Sequence, residues 1–155
     1  MPELHALTLL LGQNERQRDA AIAEHLRALA ASRAAVAQAE QLRTYRQEYE
    51  LRWQARFSVE GWIELVVCYQ GFMERLTQAV VHQARLVEQA ALQVERAMAA
   101  LTAAELRCAS VRKLIERRTH EHRIAGERRD QKQSDEFAAR AAWNRRTATG
   151  QLGLV

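Results

Sequence analysis

From position 62 to position 115 the chain places an apolar or small residue at spacings that alternate between three and four. The run is Trp62, Val66, Tyr69, Met73, Leu76, Val80, Gln83, Val87, Ala90, Val94, Ala97, Leu101, Ala104, Cys108, Val111 and Ile115, and only Gln83 interrupts it. The mean spacing of about 3.5 is the period of a left-handed coiled coil, in which the stripe stays on one side of a slightly under-wound helix. A lone helix cannot bury such a stripe, so the pattern requires a long partner helix. It predicts a rod that binds other molecules, not a cleft that performs chemistry.

The partner is expected within the same chain. Residues before the stripe carry a weaker version: Leu4, Leu7, Leu11, Ile22, Leu26, Leu29, Val36, Leu42, Tyr45, Tyr49 and Trp53. Its phase slips between Val36 and Leu42, and Glu15, Arg18 and Arg33 fall on stripe positions. No Pro or Gly lies between Gly12 and Gly61, and Ala, Leu, Arg, Glu and Gln dominate, which gives high helix propensity. The first break is Phe57-Ser58-Val59-Glu60-Gly61, with Ser as a helix cap and Gly as the reversal. A short connection between long helices makes them antiparallel neighbours.

The expected fold is therefore all-α: two long helices in an antiparallel coiled-coil hairpin, with the second helix overhanging. If Phe57 faces Trp62, facing residues sum to 119 and Leu4 faces Ile115. After Ile115 the same heptad positions hold Arg118, His122, Ala125 and Arg129, so the stripe ends. The chain then divides as one unit with a first helix over 3–57, a turn over 58–61, a paired second helix over 62–115, a basic helical overhang over 116–146 and a flexible tail over 147–155. At a rise of 1.5 Å per residue the paired part spans roughly 80 Å and the overhang roughly 40 Å.

Charge sharpens this picture. Residues 112–146 hold eleven Arg or Lys against six Asp or Glu, a surplus of five in a chain whose net charge is +4. Pairs such as Arg117-Arg118 and Arg128-Arg129 suit an acidic protein, phosphates or anionic lipid, set against a simple solvated helix with interleaved acids. Nucleic acid is not an expected partner. A basic-region zipper places its basic segment before a parallel zipper, and the interleaved aromatics of single-strand binders are missing.

Candidate chemistry is sparse. No phosphate-cradling glycine loop is present, and no cofactor or metal site is expected. His120 and His122 point different ways on a helix, while His5, His25 and His82 read as surface or seam histidines. Catalysis is not expected, because a two-helix rod offers no pocket to desolvate a carboxylate pair. Cys68 and Cys108 lie about 60 Å apart on one predicted helix and cannot pair with each other. Both read as small buried hydrophobes in a reducing compartment. No segment reads as a membrane span or signal peptide, so the expected location is cytoplasmic.

The stretch Asp130-Gln131-Lys132-Gln133-Ser134-Asp135-Glu136-Phe137-Ala138-Ala139-Arg140-Ala141-Ala142 resembles the C-terminal signature of the flagellar FliJ family. Tyr45-Arg46-Gln47-Glu48-Tyr49 and Tyr69-Gln70-Gly71-Phe72, with Leu76 and Ala79, agree with the same family. The resemblance covers essentially the whole chain. It implies a non-enzymatic stalk and chaperone-escort protein of the flagellar type III export apparatus. Such a protein couples the hexameric export ATPase to the transmembrane export gate and also binds export chaperones. It implies association with the cytoplasmic side of the inner membrane through those partners. Carried over residue by residue, Arg128, Asp130, Gln131, Lys132, Asp135 and Glu136 are the expected ATPase contacts. Phe72, Leu76 and Ala79 are the expected contacts for the cytoplasmic domain of the gate. Phe72 reads either as an exposed anchor or as a lid on the seam. Rival readings are a general coiled-coil scaffold or adaptor, or a homologue of the injectisome stalk.

Overall fold

The computed structural model describes residues 2–58 and 63–152, the last two by backbone alone. Two α-helices make up the fold: α1 (Pro2–Phe57) and α2 (Ile63–Leu152), packed against each other as a hairpin. The chain's one proline occupies the first position of α1, where its missing N–H removes a donor that would have had no partner. Glu3 in the first turn and Arg56 in the last complement the helix dipole. At the end of α1 the Ser58 hydroxyl donates to the Ala55 carbonyl at 2.7 Å, and its N–H to Gln54 at 3.3 Å. Ser58 thus closes α1 by satisfying its last carbonyls; it was expected to cap α2. The expected turn residues Val59, Glu60 and Gly61, and the stripe residue Trp62, lie outside the described residues.

The fold divides into two compact units, one of residues 14–107 and one of residues 1–13 with 108–155. In both, the α2 stripe behaves as its spacing predicts. Every position of it from Val66 to Ile115 is buried or half-buried.

The α1 seam differs from its expected course. Within residues 14–57 the positions turned inward are Asn14, Arg18, Ala21, His25, Ala28, Ser32, Ala35, Ala39, Leu42, Arg46, Tyr49, Trp53 and Phe57. This is an unbroken three-four pattern with no phase slip. Ile22, Leu26, Val36 and Tyr45 are exposed instead. Following the large apolar residues produced the apparent slip, because the seam itself is built largely from small and polar ones. Small side chains are buried on the facing helix of the same unit as well, at Ala97 and Ala104. A larger residue at those points finds no room.

Polar groups punctuate the seam and fix its register. Gln83, buried, donates from Nε2 to the Ala35 carbonyl at 3.0 Å and to Gln38 Oε1 at 3.4 Å. Arg46 reaches across to the Thr77 hydroxyl at 3.2 Å. A polar residue at one seam position selects a register at some cost in stability. His25 contributes the opposite: its Nδ1 is buried and has no hydrogen-bond partner.

Cross-helix side-chain contacts fall on sums from 118, for Gln83 with Ala35, upward, around the expected 119. Tyr49 with Phe72 and Gln38 with Gln83 sum to 121, and Trp53 with Tyr69 to 122. In the other unit, Arg118 pairs with Glu3 at 3.1 Å, also summing to 121. Phe57 packs its ring on Tyr69, whose centroid is 5.2 Å away. Interlocking rings join the two helices at this end.

In the unit of residues 1–13 and 108–155, Leu4, Leu7 and Leu11 are half-buried, as are Val111 and Ile115. The Glu3–Arg118 contact is ionic, without the alignment of a good hydrogen bond, and Arg118 also reaches Glu121 at 3.2 Å. Helix α2 then continues without a break to Leu152, beyond the expected helix end at 146. Cys108 is 1% exposed and fills the seam, as expected, whereas Cys68 is exposed. Cys68 sits one residue before Tyr69, so the seam position beside it is taken and its own side chain points out.

Two outcomes follow from this packing. Ala104→Leu enlarges a fully buried seam residue and should lower unfolding free energy by about 1–3 kcal/mol, while Ala103→Leu, on an exposed position, should be nearly neutral. Urea denaturation of both variants measures the contrast. Gly71 lies mid-helix, and a Cβ there meets nothing within 4 Å. Gly71→Ala should therefore raise stability by about 0.5–1 kcal/mol in the same assay.

Candidate functional site

Near the hairpin end, in the unit of residues 14–107, six of the chain's nine aromatic residues form one cluster. Tyr45, Tyr49, Trp53 and Phe57 recur every fourth residue on α1, so successive rings meet at centroid distances of 5.8, 5.9 and 5.2 Å. Tyr69 and Phe72 of α2 insert against them, Phe72 lying 4.3 Å from Tyr49 and Tyr69 5.5 Å from Trp53. The tilted and edge-on geometries are those favoured by ring quadrupoles, and each pair adds about 0.5–1.5 kcal/mol beyond its buried area. The Arg56 guanidinium caps the cluster, 5.7 Å above the Trp53 ring.

The geometry bears on the two readings of Phe72. Half-buried on Tyr49, it is a lid on the seam that keeps an open edge. Leu76 is buried in the seam and Ala79 is half-buried. What stands beside them in solvent was not singled out as a site by sequence reasoning. Gln38, Gln41 and Tyr45 precede seam positions on α1, just as Phe72 and Ala79 do on α2, so they share one flank of the hairpin. Gln38, Gln41, Leu42, Tyr45 and Gln83 line a shallow groove of about 500 Å³. The available signal was Tyr45 itself, an aromatic residue one position off the seam.

The second candidate lies on α2 in the unit of residues 1–13 and 108–155. Arg128, Asp130, Gln131, Lys132, Asp135 and Glu136 are all exposed on one helix. Gln131 Nε2 donates to Asp135 Oδ1 at 3.1 Å, and Arg123 approaches Glu127 at 3.8 Å. Exposed pairs of this kind contribute little to stability, so these charges remain available to a partner. Two aromatic residues stand among them with no role in folding: Phe137 is 77% exposed and Trp143 67%. Neither was placed on the expected site. Exposed large rings within a charged surface are the side chains that most often anchor protein interfaces. Among the described residues no three His, Cys, Asp or Glu side chains gather into a metal-binding group, and no helix is long and apolar enough to cross a membrane.

The class is thus an all-α helical hairpin whose second helix, 90 residues long against 56, carries a charged segment free of the seam. The family model described as Flagellar FliJ protein matches residues 4–147, and the chain belongs to this family. It is accordingly a flagellar export-related protein of a non-catalytic family. No curated protein and no solved structure matches the chain.

The two surfaces should respond differently to truncation. Phe72→Ala removes a half-buried ring from the cluster and should cost about 2–3 kcal/mol, whereas Phe137→Ala should leave the melting temperature unchanged. Thermal melts followed by circular dichroism distinguish them.

Proposed function

We propose that this chain is a stalk and chaperone-escort protein that couples the flagellar export ATPase to the export gate. The charged segment of Arg128, Asp130, Gln131, Lys132, Asp135 and Glu136 docks the ATPase hexamer. Phe137 and Trp143 add apolar anchors beside it. The flank of Phe72 and Ala79, supported from the seam by Leu76 and widened by Tyr45 and Gln38, docks the cytoplasmic domain of the gate. Export chaperones bind the same protein, and these partners hold it at the cytoplasmic side of the inner membrane. The observation that supports this reading is the presence of two surfaces of opposite chemistry, one charged and fully exposed, one aromatic and half-buried, nearly sixty residues apart along the chain. A single small partner has no reason to require both.

Binding isotherms against each purified partner test the assignment. Lys132→Glu with Arg128→Glu should weaken ATPase association about tenfold and make the remainder less sensitive to salt, because the lost contribution is electrostatic. Tyr45→Ala, on an exposed position, should spare ATPase binding and weaken the gate contact by about tenfold. Equal loss of one partner in both variants, at unchanged helicity, would refute the two-surface model.

A further inference from the structure

The opposite flank of the hairpin, in the unit of residues 14–107, carries a second heptad stripe that the fold leaves uncovered. It consists of the residues that follow each seam position. On α1 these include Ile22, Leu26, the half-buried Leu29 and Val36, which follow Ala21, His25, Ala28 and Ala35. Their spacing of four, three and seven repeats the seam's own period. Leu26 is 60% exposed, and Ile22 and Val36 are exposed beside it. On α2 the matching flank supplies Val81 and Met98, both exposed. That the two stripes share one side is visible where Val36, Glu40 and Arg43 of α1 line one groove with Ala84 and Glu88 of α2. Further along, His25, Val94, Met98, Ala99, Ala103 and Leu106 line a wide, open apolar groove of about 810 Å³.

A helix with two adjacent heptad stripes is patterned for two seams. The first is the hairpin. The second has the period, the length and the groove between helices that suit another helix. Residues 22–36 span roughly 20 Å, enough for about four turns of an occupant.

Charge selects the occupant. Over residues 15–43 and 81–105 this flank holds six carboxylates, Glu15, Asp19, Glu40, Glu88, Glu95 and Glu105, against two guanidiniums, Arg33 and Arg43, with Asp19 already paired to Arg18 of the seam at 2.9 Å. It is acidic in a chain that is basic as a whole. On α2 its charges are all negative, and Glu88 and Glu95 make no ion pair among the described residues. A second copy docked flank to flank would set like charges against each other, which is destabilising. The basic overhang of a second copy also fits poorly. Its exposed rings, Phe137 and Trp143, are six residues apart and point to different sides of the helix. The geometry points to a docking groove for an amphipathic helix of a partner protein, one with Leu, Ile or Met at heptad spacing and Lys or Arg along its edges. This surface is distinct from both surfaces assigned above.

The test uses the full chain and a fluorescent synthetic helix about three heptads long, with Leu and Ile on one stripe and Lys beside it. A second peptide keeps the stripe and replaces Lys by Glu. Fluorescence anisotropy should show the Lys peptide binding at least about tenfold more tightly, with the difference shrinking as salt rises. Leu26→Gln combined with Met98→Gln should weaken that binding about tenfold without altering the melt, since both side chains are exposed. Tyr45→Ala, on the other flank, should leave it unchanged. Equal binding of the two peptides, or undiminished binding to the Leu26→Gln and Met98→Gln variant, would overturn the proposal. So would sedimentation showing a dimer that this variant dissolves, which would make a second copy the occupant.

Discussion

Close approach of two helices along a seam of small residues is the constraint on which the other features depend. Within residues 14–107, Ala21, Ala28, Ala35 and Ala39 on α1 and Ala97 and Ala104 on α2 bring little side-chain volume to the seam. Such a seam gains less from apolar burial per residue than a leucine seam does. It gains instead from dense van der Waals contact and from low side-chain entropy cost, since alanine has no rotamers to lose. Tight packing also explains why polar residues are tolerated within it. Gln83 finds the Ala35 carbonyl only because the opposite backbone is near enough to accept.

The same constraint decides what the surface displays. Large apolar residues excluded from a narrow seam must stand on its flanks, and Ile22, Leu26, Val36, Tyr45 and Met98 do so. The proposed role of holding partners would benefit from this division. The fold rests on alanine, glutamine and a terminal aromatic cluster, and its bulky side chains are released for recognition. The cluster of Tyr49, Trp53, Phe57, Tyr69 and Phe72 is the exception, where the rings both close the hairpin end and border a docking flank.

Function in this family member is a matter of surfaces, and the two units present different ones. Residues 14–107 offer aromatic and apolar flanks. The C-terminal part of α2 offers a mixed-charge helix with two exposed rings. Under the proposed function each surface follows its own chemistry, charged where association is to be salt-sensitive and steered, apolar where contact is to persist.

Much of the architecture was legible in the sequence. The three-four period from Val66 to Ile115 marks α2's inward side residue by residue, because on α2 the seam positions are also the apolar ones. Propensity and the absence of internal proline made both helices legible, and the charge surplus after Arg112 marked the segment that the seam does not bury. On α1 the same reasoning placed Leu4, Leu7, Leu11, Leu42, Tyr49 and Trp53 correctly but went astray at Ile22, Leu26, Val36 and Tyr45, since hydrophobicity alone cannot tell a narrow seam of alanines from the bulky flank one position away. That choice shows only in the packed hairpin, where Ala35 and Ala39 turn inward and Val36 outward. The register was likewise decided in three dimensions, by Phe72 on Tyr49 and Gln83 on Ala35, contacts between residues 23 and 48 positions apart. Sequence determined that there would be two helices and which side of the longer one turns inward. Tertiary packing decided how closely they meet, and through that which side chains remain outside to bind.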